Sequence, residues 1–184
     1  MLLSDTDILA ELSLDGLWFE PKLGDNAVQP ASVDLRLGTE FRIFANHIEA
    51  AIDPANQKLP ATTPVRLDKH GSFVLQPGEF VLGHTQETVQ IPAYLAAQVA
   101  GKSSLGRQGL IVHATAGFID PGFRGQITLE LSNCNRLPIV LRPGMKICQI
   151  TITRLSSPAE MPYGDARLGS HYQGQTGARP GEGL

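Results

Sequence analysis

The sequence predicts a mainly β protein, a barrel or jelly-roll-like sandwich with one short helix at its N-terminus. Three observations carry that expectation. Nineteen glycines and thirteen prolines in 184 residues require many turns between short strands. Several segments alternate apolar and polar side chains with the period of two that a half-buried strand needs. A weak internal repeat, LQPGEFVLGHT at 75–85 and LRPGMKICQIT at 141–151, shares Leu, Pro-Gly and Thr at equal offsets. Each Pro-Gly suits a type II turn with glycine at the position of positive φ, and paired units of this kind belong to folds that close or cover their sheet edges.

Residues 4–14 form the predicted helix. Ser4 is the cap, Asp7 lies in the acidic first turn, Ile8, Leu9 and Leu12 make an apolar face, and Gly16 ends it. Residues 29–44 alternate twice, through Val33, Leu35 and Leu37 and then Phe41 and Ile43, which predicts two strands joined near Gly38. The Asn-, Pro- and Ala-rich stretch 45–64 reads as a long loop. In 126–133, Ile127, Leu129 and Leu131 share one strand face and Thr128, Glu130 and Ser132 the other. From Leu155 onward glycine and proline leave little for a core element. The whole chain, 1–184, is expected to be one domain, with 156–184 as a C-terminal segment that either frays or closes as a lid.

The stretch 101–131 holds the densest chemistry. Gly101 ends an apolar run, and in Lys102-Ser103-Ser104 a serine can cap a short helix and leave backbone N–H groups free for an anion. Arg107 follows Ser103 by about one helical turn, so its guanidinium can return to the same anion. The same pattern also describes an ordinary capped helix with solvated charges. A phosphate-binding GxxxxGK[ST] loop is excluded, because Ala96 stands where its first glycine is needed. In the Gly- and Pro-rich turn 116–125, Asp120 is either a turn former or a carboxylate held at a fixed spot. Glu130 either faces water or, if its strand face lines a pocket, is a carboxylate whose partial burial raises its pKa toward general acid–base use.

The overall charge, 15 basic against 18 acidic residues, gives no footprint for nucleic acid. No long apolar run or leader pattern argues for a membrane or for export. Cys134 and Cys148, without a CxxC pair, fit a reducing cytoplasm. His47-Ile48-Glu49 matches half of a zinc-deaminase signature, but the P-C-x-x-C half is missing, so zinc is not expected. His113, before the Gly-rich turn, reads as structural.

Together, KSSLGR at 102–107, HATAGFIDPGFRG at 113–125, ITLELSN at 127–133, PGMKICQ at 143–149 and YQGQ at 172–175 resemble the dCTP deaminases, relatives of the trimeric dUTPases. The resemblance runs over nearly the whole chain. It implies a distorted β-barrel of the dUTPase type, assembled as a homotrimer with sites between subunits. It implies that Glu130 is the catalytic base and acid, attacking C4 of cytosine through water with no metal at the base. Ser103 and the carbonyl near Ala116 would hold the water and amino group, the backbone of Thr128 and Leu129 would read the pyrimidine edge, and Asp120 would meet the 3′-hydroxyl. Lys102, Ser104 and Arg107, with Leu105 and Gly106 completing the loop, would hold the triphosphate. Gln149, Tyr163, His171 and Gln175 would add to that grip, and Mg²⁺ would bridge the phosphate oxygens.

Two departures from the family pattern stand out. His171 occupies a usual lysine position, which makes its phosphate contact weaker or pH-dependent. Cys148 replaces a usual glycine beside Gln149. Ala116-Gly117 before an aromatic resembles the subgroup that also cleaves the triphosphate, giving dUMP and pyrophosphate. There Gly117 would leave room for a second water and Asp120 would help activate it. The alternatives are a deaminase releasing dUTP, a dUTPase without deamination, and a non-catalytic nucleotide-binding trimer.

Overall fold

The computed structural model describes residues 1–14, 16–45, 51–53, 55 and 61–181. Its elements are α1 (Asp5–Leu12), β1 (Trp18–Glu20), β2 (Val28–Gln29), β3 (Ser32–Arg36), β4 (Glu40–Phe44), β5 (Thr62–Arg66), β6 (Phe73–Leu75), β7 (Phe80–Gln90), β8 (Leu95–Gly101), α2 (Ser103–Gly106), β9 (Leu110–Ile111), β10 (Phe118–Ile119), β11 (Arg124–Asn133), β12 (Ile139–Leu141) and β13 (Lys146–Arg154). The His47–Glu49 motif lies outside the described residues, as does most of the stretch expected to be a long loop. That loop ends earlier than expected, because Thr62 already begins β5.

One sheet runs β5-β4-β7-β11-β9, with β1 also paired to β7, and the other runs β10-β8-β13-β3-β2. A single apolar core draws on both: Phe41, Val81, Leu129 and Leu131 from the first, Val33, Leu35, Val99 and Ile150 from the second. The expected strands on either side of Gly38 both form, but β3 pairs with β13 and β4 with β5 and β7. The chain therefore changes sheets at 37–39. An isolated bridge, Leu37 to Thr85, stitches the sheets at this corner. No ladder joins them elsewhere among the described residues, so the expected distorted barrel is an open pair of sheets. Local alternation reports which side chains are buried; closure depends on which strands meet.

The helix carries the expected cap. The Asp7 amide donates to Ser4 Oγ at 3.3 Å, and the Ser4 amide donates to Asp7 Oδ2 at 3.1 Å. A reciprocal cap of this kind contributes about 1 kcal/mol. The apolar face differs from the expectation: Ile8 is fully buried and Leu12 packs on the core, while Leu9 is 55% exposed. The third core-facing position is Glu11, spaced i+3 from Ile8. Its carboxylate ion-pairs with Arg154 and accepts from the Tyr94 hydroxyl at 2.9 Å.

The repeat is structural. In both copies a short strand leads through a Pro-Gly turn into a long one. The Glu79 amide donates to the Gln76 carbonyl at 3.1 Å and the Met145 amide to the Arg142 carbonyl at 3.2 Å. Gly78 and Gly144 have φ of 74° and 80°, the geometry of type II turns. The short strands β6 and β12 pair with each other. The long strands β7 and β13 enter opposite sheets.

Strand β11 alternates as expected, with Ile127, Leu129 and Leu131 in the core. Its register against β7 shifts between Gln126 and Thr128. The Ile127 amide, displaced from the ladder there, donates to Thr85 Oγ1 at 2.9 Å, so the bulge leaves no buried donor unpaired. Thr128 and Glu130 follow directly after it.

Candidate active site

The outer face of β11 opens into a cavity of about 450 Å³, within the range that takes a small ligand. Ala116, Asp120, Thr128, Glu130, Tyr163 and Gln175 all line it, so six of the expected residues converge. Its apolar wall includes Leu82, Val99 and Ile127. Glu130 is half-buried, and its Oε2 accepts the Ala114 amide at 2.6 Å. Its Oε1 meets no protein donor among the described residues. One oxygen is thus fixed by the backbone and the other is left for a ligand or water.

The turn beside Glu130 has the stiffness its composition requires. The Phe123 amide donates to the Asp120 carbonyl at 3.2 Å, and Gly122 has φ of 90°. The space beside Gly117 is occupied. A Cβ there would lie 2.9 Å from the Val99 carbonyl oxygen and 3.1 Å from His113 Cε1. Glycine at 117 lets the turn press onto β8, where the Val99 amide donates to its carbonyl at 2.7 Å. The room expected for a second water on that side is taken by protein. His113 Nδ1 is buried with no hydrogen-bond partner among the described residues, and the ring lies close against Gly117.

The C-terminal tail lies folded against this site. The Gly174 amide donates to the Arg124 carbonyl at 2.7 Å, Gln175 Nε2 to the Gln126 carbonyl at 2.7 Å, and the Gly177 amide to Gln126 Oε1 at 2.6 Å. The Gln175 side chain thus ties down the tail and also lines the cavity. The Tyr163 hydroxyl accepts the Tyr172 amide at 3.0 Å. His171, with Asp120 and Tyr163, lines a smaller adjoining cavity of about 280 Å³. Tyr172, in the YQGQ segment of the expected lid, also lines the main cavity, and sequence reasoning missed Arg179 beside it. The only signal for Arg179 was a lone cation in a Gly- and Pro-rich segment.

Lys102 and Gln149 fall in a second cluster, at the β8 and β13 ends of the other sheet. Residues 102–107 and Gln149 do not line the Glu130 cavity. The cap of α2 is Lys102, without a side-chain cap bond, and not a serine as expected. The Lys102 ammonium ion-pairs with the buried carboxylate of Asp34, whose second oxygen lies 3.1 Å from Lys146 Nζ. Gln149 Oε1 accepts from Ser32 Oγ at 3.3 Å in the same region. Leu129 is buried, so only its backbone is available to a ligand. Cys148 points into the core, where burial chiefly, and then Glu87 and Asp34, push its thiol pKa far up.

A β-sandwich with an anchored carboxylate in an apolar-walled cavity, strapped by its own tail, is a protein built around a small-molecule site. The chain belongs to the dCTP deaminase-like family, whose model matches residues 2–155. It is 57% identical over 177 residues to a protein of Beutenbergia cavernae named "dCTP deaminase, dUMP-forming", covering 96% of this chain and 92% of that one. A protein of the same name from Nocardia farcinica is 56% identical over 180 residues, covering 98% of this chain and 90% of that one. Among solved structures, the 2′-deoxycytidine 5′-triphosphate deaminase of Agrobacterium tumefaciens superposes with a TM-score of 0.63 at 28% identity. That match covers 83% of this chain and 47% of the other, so the chain spans about half its length.

Proposed function

We propose that the protein deaminates dCTP and cleaves its triphosphate, consuming two waters and releasing ammonia, dUMP and pyrophosphate. The observation that carries this reading is the Glu130 carboxylate, fixed by the Ala114 amide at 2.6 Å at a cavity with an apolar wall. The names of the 56–57% identical relatives support the substrate and product.

In this reading Glu130 Oε1 takes a proton from water as the oxygen adds to C4 of the cytosine. Glu130 then returns the proton by way of N3 to the departing ammonia. One carboxylate acts as base and then acid, while Leu82, Val99 and Ile127 limit competing solvent. Thr128 and the backbone of β11 face the pyrimidine, and Asp120 meets the sugar. The second water, which attacks the α-phosphorus, belongs beside Ala116 and Asp120, since the space next to Gly117 is filled.

The cluster of 102–107, Gln149 and Asp34 lies outside this cavity. A homotrimer, in which a neighbouring subunit brings that cluster to the triphosphate, accounts for the separation. Residues 156–184 act as the lid of a single 1–184 domain in a cytoplasmic enzyme. No helix among the described residues is long and apolar enough to cross a membrane. The described residues hold no group of three His, Cys, Asp or Glu side chains placed to ligate a metal. A Mg²⁺ held by the triphosphate oxygens would neutralise charge there.

Chromatography of products from dCTP with Mg²⁺, together with an ammonia assay, tests the reading. Equimolar ammonia, dUMP and pyrophosphate is the expected result. Accumulation of dUTP would remove the second step, and absence of ammonia would remove the first.

A further inference from the structure

A second and larger cleft, about 670 Å³, adjoins the active-site cavity and shares Arg179 with it. Its walls come from β4, β5 and the tail, with Arg42, Arg66 and Arg179 facing it alongside Thr176. Glu40 is the one carboxylate among its lining residues, and it is already engaged. It accepts from Arg66 Nε at 2.9 Å and lies 3.9 Å from Arg42 Nε. Two of the three guanidinium groups, those of Arg66 and Arg42, thus share the one carboxylate, and Arg179 adds a third cation.

The other titratable group at the cleft adds no positive charge. His84 Nδ1 lies 2.8 Å from the Thr85 carbonyl, and its Nε2 accepts the Glu40 amide at 3.2 Å. That pair of contacts fits only a neutral ring carrying its proton on Nδ1.

Donor accounting points the same way. A guanidinium carries five N–H donors in a flat fork. Arg42 spends Nε on the Ala178 carbonyl at 2.7 Å and Nη1 on Thr62 Oγ1 at 3.1 Å. Arg66 spends Nε on Glu40. The Arg179 side chain meets no protein acceptor among the described residues. Most of the donors are unused, and forks of this geometry match phosphate oxygens two at a time.

We propose that this cleft is a second anion site, taking a phosphate or diphosphate group and distinct from the cavity that holds Glu130. The group comes either from free pyrophosphate or from the phosphates of a nucleotide; the recognising chemistry is the same. Because Arg179 borders both spaces, an anion in the cleft draws on the tail that also walls the catalytic cavity.

The test uses full-length Glu130→Gln protein and calorimetry, so it reads binding and does not depend on the deaminase reading. Inorganic pyrophosphate is titrated alone and then with dCTP at saturation. The expected result is one pyrophosphate per chain in both titrations, weakened about tenfold by Arg66→Gln and by Arg179→Gln, the loss of roughly one charged hydrogen bond. If nucleotide phosphates are the source, dCTP itself binds twice per chain, and Arg66→Gln weakens only the second event, again about tenfold. Arg66 is largely exposed, so its variant keeps the fold, which is checked by an unchanged melting temperature. Pyrophosphate binding lost at saturating dCTP yet unchanged in Arg66→Gln would place the anion in the catalytic cavity and overturn the proposal. Absence of pyrophosphate binding together with a single dCTP per chain would overturn it as well.

Discussion

Glu130 and Ala114, sixteen residues apart, are joined by a 2.6 Å hydrogen bond from the Ala114 amide to the carboxylate. The bond fixes one oxygen and orients the other toward the cavity. Replacing the acid by its amide keeps the shape and removes the base. Glu130→Gln is expected to lower the rate of ammonia release by at least about 100-fold while leaving dCTP binding, measured by calorimetry, near wild type. Ammonia release at the wild-type rate would discard Glu130 as the base.

Asp34 is a buried carboxylate facing two lysines. Removing a buried partner of this kind is costly because it strands the opposing charges, although here both lysines keep some solvent. Asp34→Asn is expected to lower stability by about 1–3 kcal/mol in urea unfolding. It is also expected to raise KM for dCTP more than it lowers kcat, since Lys102 begins the 102–107 loop. Equal KM values in variant and wild type would confine Asp34 to a structural role.

His84 supplies a pH dependence whose sign is fixed by its surroundings. Burial chiefly lowers its pKa below the ordinary 6.5, against opposing effects from the Thr85 carbonyl, Glu40 and Gln126. The unfolded chain therefore binds a proton at a pH where the native state does not. This contribution to stability is complete above the unfolded value of about 6.5 and is lost as pH falls below it. Melting temperatures from pH 8 to 5 should fall more steeply in wild type than in a His84→Gln variant. Parallel curves would contradict this.

The two cysteines should behave differently. Cys134 is exposed, and Cys148 is buried with a strongly raised pKa. Because the thiolate is the reactive form, a chromogenic thiol reagent should titrate one group per native chain and two after denaturation. Rapid reaction of two thiols in the native state would contradict the packing around β13.

Much of this architecture was legible locally. The alternation through Ile127, Leu129 and Leu131 identified a strand and placed Glu130 on its outer face, and the Pro-Gly repeats announced their turns. Periodicity failed at Leu9, because the helix turns its i+3 position, Glu11, inward to meet Arg154 and Tyr94. Asp34 was hidden for a related reason. In an alternating strand an acid between Val33 and Leu35 reads as solvated, and nothing nearby shows that Lys102 and Lys146 converge on it. Arg179 and the tail's course depend on hydrogen bonds to Gln126 and Thr128, contacts that exist only once β11 is in place.

The pairing of β6 with β12 has a mechanical consequence. These two short strands act as a common pin from which β7 and β13 diverge, one toward the carboxylate cavity and the other toward the lysine-flanked acid. A one-residue slip of either long strand against its ladder would turn its side chains to the opposite face, because they alternate one by one. The register in which each strand leaves the pin therefore sets the orientation of both chemical surfaces.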